Sequence, residues 1–176
     1  IPNGSIEENG CGKMNYFTTK ALNHIKSLGI THIWYTGLIE HATQTDYSKF
    51  CINNDNPIIV KGKAGSPYAI KDYYNVDPDL AIDVNNRMEE FDSLLKRTHS
   101  VGLKFIMDFV PNHVSREYKS SSKPKGIKDL GEGDDISVAF SNQNNFYYIP
   151  NTKLEGVINH HDSNQKPYIE FPAKAT

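Results

Sequence analysis

Two stretches of the chain repeat one order of elements: an amphipathic segment, a glycine, and a short run of apolar residues. In the first stretch, apolar residues recur at helical spacing before Gly29, and THIWY at 31–35 has the β-branched and aromatic composition of a strand. In the second, residues 85–101 show helical periodicity, Gly102 follows, and LKFIMDF at 103–109 is a nearly continuous apolar strand. Helices that alternate with such strands predict an α/β fold with a parallel sheet covered by helices.

The bulk composition excludes several classes of protein. A length of 176 residues fits one domain, or one domain with a small appendage. The formal net charge of -2 provides no electrostatic footprint for nucleic acid or an anionic membrane, and no apolar run approaches the length of a membrane span. The two cysteines, Cys11 and Cys51, lie far apart without metal-ligand spacing.

Polar groups come directly after the second strand, in the sequence DFVPNHV. Asp108 either pairs with a cation on the helix side of the sheet or points into a cleft, and its place near the strand's C-terminal end favours the cleft. Asn112 is either an amide that anchors a loop or an oxygen ligand for a hard cation such as calcium. His113 either donates a hydrogen bond to a ligand hydroxyl or is a satisfied loop histidine.

A second cluster lies upstream, in GSPYAIKDYYNVDPDL at 65–80. Tyr68, Tyr73 and Tyr74 have flat, hydroxyl-tipped rings that stack on the faces of pyranose sugars, and equally they suit a tyrosine-rich loop packed on the sheet. Three acidic residues add hydrogen-bond acceptors nearby: Asp72, Asp77 and Asp79.

The remaining stretches lack sustained periodicity. Residues 37–67 form a long polar stretch that predicts a loop, and a loop of this length in a compact domain indicates function or mobility. Residues 115–176 are rich in charged, Gly and Ser residues with short aromatic pieces, which predicts an irregular insertion containing at most short antiparallel strands.

These motifs together resemble the α-amylase family of glycoside hydrolases, over roughly residues 16–114. DFVPNH is similar to the family's first signature region at the end of the third barrel strand, and LNHIKSLGITHIWYTGL is similar to its first helix and second strand. The resemblance implies a partial (β/α)8 TIM barrel, containing the second and third strands with their helices. It implies two parts: residues 1–114 from the barrel, and an incomplete insertion domain at 115–176.

The resemblance also assigns roles to individual residues. Tyr68 matches the aromatic residue that stacks on the sugar before the cleaved bond, and His113 matches the histidine that hydrogen-bonds the same sugar. Asp72 matches the acidic position of the Tyr68 motif, and Asp108 matches an aspartate that supports the catalytic floor. Asn112 matches an asparagine that binds structural calcium in many members. Candidate partners for that ion in the insertion are Asp129, Asp134 and Asp135.

The catalytic carboxylates of the family find no match in this chain. We find no strand with an Arg-x-Asp element and no later catalytic Glu, and NHHDS at 159–163 follows no apolar strand and is interpreted as a polar loop. The family's first barrel strand also has no counterpart. The resemblance therefore implies an N-terminal fragment that lacks the nucleophile and the acid/base, is inactive alone, and self-associates through exposed sheet edges.

The parent protein is then expected to hydrolyse α-glucans such as starch and maltooligosaccharides. A non-catalytic carbohydrate-binding or assembly module is the alternative, because tyrosines and the Asn112–His113 pair can bind sugar without chemistry. Members of the family act in the cytoplasm, in the periplasm and outside the cell, and a secreted or periplasmic location is favoured here.

Overall fold

The structure of the protein is a computed structural model that describes residues 10–60, 62–156 and 167–175. Its helices and strands are α1 (Thr19–Ser27), β1 (His32–Tyr35), β2 (Ile39–His41), β3 (Ile70–Val76), α2 (Arg87–Ser100), β4 (Lys104–Met107), β5 (Tyr148–Ile149), β6 (Leu154–Glu155), β7 (Ile169–Glu170) and β8 (Ala173–Lys174). In these ranges no helix combines the length and the apolar character needed to cross a membrane.

Both helices lie where periodicity predicts them, and each is followed by a glycine with positive φ. The hydroxyl of Thr18 caps α1 by accepting a backbone N–H from its first turn. Gly29 and Gly102 have φ of 86° and 76°, a conformation that glycine adopts without steric cost. The Lys26 ammonium donates to the carbonyl of Val101 at 2.6 Å, so the ends of the two helices are joined.

The central pairing is the parallel contact between β1 and β4, whose four residues run in register. Two further hydrogen bonds extend it: Lys104 N–H to the carbonyl of Thr31 at 2.9 Å, and Asp108 N–H to the carbonyl of Tyr35 at 3.1 Å. α2 precedes β4 and packs against it. A parallel pair connected through a helix is the arrangement that the alternating sequence pattern predicts.

The core lies between α2 and one face of the β1–β4 pair. Tyr35 stacks on Phe105 with ring centroids 4.4 Å apart, and its hydroxyl hydrogen-bonds Thr98 on α2 at 2.9 Å. A second cluster, around Leu22 and Leu103, joins α1 to the same sheet. The first cluster consists of Met14, Tyr35, Leu38, Val76, Ala81 and Leu94.

An antiparallel pair, β2 and β3, lies within segments that the sequence predicts to be loop. Its register is interrupted by bulges, with Glu40 opposite Asp72. β3 buries Lys71, Asp72 and Asn75 beside its apolar residues, because each of these polar side chains finds a hydrogen-bond partner. Polar residues at buried positions conceal the alternation by which a half-buried strand is normally recognised.

The region after residue 114 packs back along β3 and then forms two short antiparallel pairs. Ser115 N–H donates to the carbonyl of Ile70 at 2.7 Å, and Lys119 N–H donates to that of Lys71 at 3.0 Å. β5 pairs with β8, and β6 pairs with β7. The predicted division of the chain between residues 114 and 115 stays a prediction. The NHHDS stretch at 159–163 lies outside the described residues.

The second face of the β1–β4 pair is open. Trp34 and Ile106 are register partners on this face and are 65% and 44% exposed, whereas Ile33 and Phe105 on the opposite face pack into the core. A parallel sheet normally has both faces covered, so this apolar face is suited to further chain or a second copy. Self-association of the isolated chain stays a prediction.

Replacement of Leu94 by Ala tests the position of the core. Leu94 has no exposed surface, so Leu94→Ala should lower the free energy of unfolding by about 2–5 kcal/mol through lost burial and a cavity. Leu28, which is 68% exposed, supplies the control, and Leu28→Ala should change it by less than about 0.5 kcal/mol. Urea denaturation followed by circular dichroism measures both values, and equal effects of the two substitutions would contradict this placement of the core.

Candidate functional site

A cleft of about 860 Å³ opens between β3, the segment that follows β4, and the inserted region. Its walls come from Tyr73 and Tyr74 on β3, from side chains between residues 109 and 118, and from 128–130, 145–147 and the end of β8. The cleft therefore joins parts of the chain that are far apart in sequence. Its aromatic rings and few polar groups are the mixture expected of a site for a small ligand.

The segment after β4 carries the polar residues of the DFVPNHV motif into this cleft. Asn112 and His113 are exposed and line it, and Nδ2 of Asn112 lies 2.8 Å from Nδ1 of His113. That contact occupies the amide nitrogen and the near side of the ring, so Nε2 of His113 is the ring atom available to a ligand. Asp108 is half-buried at the end of β4, with its amide bonded to Tyr35.

Tyr73 fixes the position of this segment. Its hydroxyl donates to the carbonyl of Val110 and lies 3.5 Å from that of His113. Its ring packs against Phe109 and Tyr118, with centroids 5.6 and 5.7 Å away. Burial raises the pKa of Tyr73, so the phenol remains a protonated donor at neutral pH. Tyr73 is thus a scaffold for the cleft as well as part of its wall.

The inserted region supplies an aromatic surface on the opposite wall. Tyr147 lines the cleft and is 59% exposed, and its ring is stacked on that of Phe140 at 5.5 Å with an interplanar angle of 18°. Phe146 lies beside it, with the Lys174 ammonium 5.1 Å from its ring centroid. Both residues belong to the aromatic piece NQNNFYYIPN, which sequence reasoning did not assign to a site, although its aromatic enrichment was an available signal.

Asp72 is fully buried beneath the cleft. Its Oδ2 accepts hydrogen bonds from the backbone N–H and the hydroxyl of Ser121, at 2.7 and 2.9 Å, and its Oδ1 accepts the N–H of Tyr74 at 2.8 Å. These bonds hold the inserted region against β3. The expected contact of Asp72 with a sugar stays a prediction.

Tyr68 lies in the turn before β3 and is 55% exposed. The turn is held closely against β2, because a Cβ on Gly65 would lie 1.8 Å from the carbonyl oxygen of Ala42. Only glycine fits this approach, which also has a φ of 72°. Among the described residues, Tyr68 is not one of those that line the cleft with His113. The expectation that both contact one sugar stays a prediction.

The three acidic residues proposed as calcium partners are occupied by loop hydrogen bonds. Asp129 accepts the N–H and hydroxyl of Ser120, Asp134 accepts N–H groups at 145 and 146, and Asp135 accepts those of Ser137. The described residues around Asn112 thus do not fit a preformed oxygen cage for calcium, which needs six to eight converging ligands. Calcium binding stays a prediction.

A buried carboxylate, Glu40, lies across the β2–β3 pair from Asp72 and is only 3% exposed. Burial, with a contribution from the charge of Asp72, raises the pKa of Glu40 to about 7. Arg87 opposes this shift, but its Nη2 lies 3.8 Å from Oε2 of Glu40. The layer beneath the cleft therefore contains a carboxyl group that changes charge near neutral pH.

Comparison with known proteins decides the family. The family model described as "Alpha amylase, catalytic domain" matches residues 5–167. This chain belongs to the alpha-amylase family. The catalytic domain of that family is a TIM barrel, and the cleft residues after β4 lie at the C-terminal end of a parallel strand, where TIM barrels bind their substrates.

Curated relatives of the alpha-amylase family match part of their length. Maltase A2 of Drosophila melanogaster is 29% identical over 130 residues, covering 72% of this chain and 18% of that protein. Trehalose-6-phosphate hydrolase of Bacillus subtilis is 30% identical over 111 residues, covering 63% of this chain and 15% of that protein. An alpha-amylase structure from Lactobacillus plantarum matches with 29% identity and a TM-score of 0.46, over 68% of this chain and 22% of that one.

The raised pKa of Glu40 predicts how stability depends on pH. Between about pH 4.5 and 7 the folded state retains a proton that the unfolded chain releases, so stability falls as pH rises through this window. Glu40→Gln keeps the shape and cannot ionise, so it should gain on the order of 2–3 kcal/mol over wild type between pH 5 and pH 8.

Urea denaturation at the two pH values measures this difference. The exposed Glu89 provides the control, since Glu89→Gln should follow wild type at both pH values. A Glu40→Gln variant whose stability relative to wild type is the same at pH 5 and pH 8 would show that Glu40 is ionised throughout.

Proposed function

We propose that this chain forms the N-terminal part of the catalytic barrel of a glycoside hydrolase that acts on α-linked glucose units. Membership of the alpha-amylase family supports the reaction class. The names of the relatives, among them maltases, an alpha-glucosidase and an oligo-1,6-glucosidase, support α-glucosidic substrates. Because the chain spans less than a fifth of these relatives, the activity belongs to the proposal.

The observation that carries the proposal is the chemistry of the cleft. A sugar ring has apolar C–H faces and a rim of hydroxyl groups, so a site for it needs exposed aromatic faces beside hydrogen-bonding groups. The cleft has the exposed ring of Tyr147 on one wall and His113 on the other. In this proposal Nε2 of His113 hydrogen-bonds a sugar hydroxyl, and Tyr68 stacks on the same glucosyl unit from the turn before β3.

Asp108 and Asp72 act indirectly in this proposal. Asp108 supports the floor of the site at the end of β4, and Asp72 holds the inserted region in place through Ser121. A calcium ion at Asn112 would require the insertion's aspartates to exchange their backbone donors for the ion, so the proposed sugar binding does not depend on one.

The proposal also includes the inactivity of the 176-residue chain by itself. A retaining glycosidase needs two carboxyl groups about 5–5.5 Å apart, one as nucleophile and one as acid/base. Asp129 is the one carboxylate among the described residues that line the cleft, and both its oxygens accept hydrogen bonds from Ser120. The nucleophile and the acid would then come from further chain packed on the open face of the β1–β4 pair.

The alternative is a non-catalytic sugar-binding module, favoured by the same observation that the described cleft lacks a pair of carboxylates. The two functions differ in the strands that any further chain of the protein supplies. Later strands that carry Arg-x-Asp and Glu favour the hydrolase, and a protein without them is a binding module.

A double-mutant cycle tests the sugar contact. Tyr68→Ala and His113→Ala should each weaken the binding of maltoheptaose by about 1–3 kcal/mol, roughly 5- to 150-fold, because each removes contact with the sugar. If both side chains contact one glucosyl unit, the two effects should be non-additive. Isothermal titration calorimetry measures the affinities. Tyr16→Ala, which removes a tyrosine that is 65% exposed, should leave affinity unchanged. Unchanged affinity in both cleft variants would exclude this site.

An activity assay tests the absence of the catalytic pair. The 176-residue chain should bind maltoheptaose yet release no reducing sugar from soluble starch and no chromophore from an activated maltoside. Hydrolysis that survives repurification would refute the proposed inactivity. A chain that neither binds nor cleaves would refute the proposed sugar site.

A further inference from the structure

A second group of ionisable side chains lies away from the cleft, where β2, the end of β3 and the turn before α2 meet. It consists of His41, Asp77 and Asp79, and one ligand atom from each lies within 4.8 Å of the others. Asp77 has no exposed side-chain surface, Asp79 is 2% exposed, and 11% of the His41 side chain is exposed. Neither the proposed sugar site nor the family resemblance gives this group a role.

Most polar atoms of this group have partners within the chain. Oδ2 of Asp77 lies 2.7 Å from Nδ1 of His41 and accepts the backbone N–H of the same residue at 3.2 Å. Oδ1 of Asp77 accepts the N–H of Asp79 at 2.9 Å. Nε2 of His41 faces the carbonyl of Ala64 at 3.4 Å. Tyr47 donates its hydroxyl hydrogen to Oδ1 of Asp79.

One atom of the group remains unsatisfied. Oδ2 of Asp79 is buried and has no hydrogen-bond partner in the part of the chain that the structure describes. The Lys13 ammonium is nearby, but it donates to the backbone carbonyl of Asp79 and not to the carboxylate. A buried carboxylate oxygen without a donor is costly, so it requires either a proton or a cation.

We propose that His41, Asp77 and Asp79 bind a divalent transition-metal ion of the Zn²⁺ type. One imidazole nitrogen and two carboxylate oxygens are the donor set that zinc accepts, and zinc places its ligands at about 2.0–2.2 Å. Nδ1 of His41 would bind the ion after losing its proton to solvent. Nε2–H would remain directed at the Ala64 carbonyl, the type of second contact that orients a metal-bound histidine.

The composition of the site separates this ion from calcium and magnesium. Those harder cations prefer six or more oxygen ligands, whereas an imidazole with two carboxylates and one open position suits zinc. The bound ion would join β2 to the turn after β3 and so fix the long segment between them. This inference does not rest on the proposed sugar binding.

Zinc titration of the 176-residue chain tests the site. The background carries His160→Gln and His161→Gln, so that the NHHDS stretch supplies no imidazole ligand. Calorimetry with ZnCl₂ should give one ion per chain with proton release, and saturating zinc should raise the melting temperature by several degrees. Asp79→Asn and His41→Gln, which preserve size, should each lower the zinc affinity by at least about tenfold. The exposed controls, Asp92→Asn and His99→Gln, should not change it.

Three results would overturn the proposal. Equal zinc affinity in wild type and in both ligand variants would place the ion elsewhere. Binding of CaCl₂ without binding of ZnCl₂ would exclude the donor set. An absence of zinc binding, together with an Asp79→Asn variant more stable than wild type, would show that a proton on Asp79 satisfies the buried oxygen.

Discussion

Buried carboxylates that must find donors organise the central part of this molecule. Asp72 and Asp77 lie on or directly after β3, and neither has exposed surface. Asp72 takes its donors from the inserted region through Ser121, and Asp77 takes them from His41 on β2. Because removal of a donor would leave a charge in a dry interior, these bonds fix loops that have little apolar surface of their own. The cleft is built on this layer, since its walls come from β3 and from the region that Asp72 anchors.

The elements that could be predicted from sequence are those held by apolar periodicity. α1, α2, β1 and β4 follow from the spacing of apolar residues and from Gly29 and Gly102, which end the helices. These signals are local, because a helix with one apolar face and an apolar strand state their environment within a few residues. The same local signals correctly indicated the end of β4 as a place for polar groups that line a cleft.

The elements that could not be predicted depend on partners distant in sequence. β3 buries Lys71 because Asp55, sixteen positions earlier in the chain, accepts its hydrogen bond at 3.0 Å. No pattern within the strand reveals that partner, so the strand reads as a polar loop. The far wall of the cleft has the same origin, since Tyr147 meets the segment of His113 only through the folding of the inserted region. Family resemblance located His113 and Tyr68 as candidates, whereas Tyr73 and Tyr147 required coordinates.

The open side of the β1–β4 pair has an experimental consequence of its own. Trp34 is the single tryptophan of the sequence, and it lies on that side with its indole largely in water. Indole emission responds to the polarity around the ring, so the molecule carries an intrinsic optical reporter at the surface where further chain would pack. Anything that covers this surface changes the colour of that light without the need for a label.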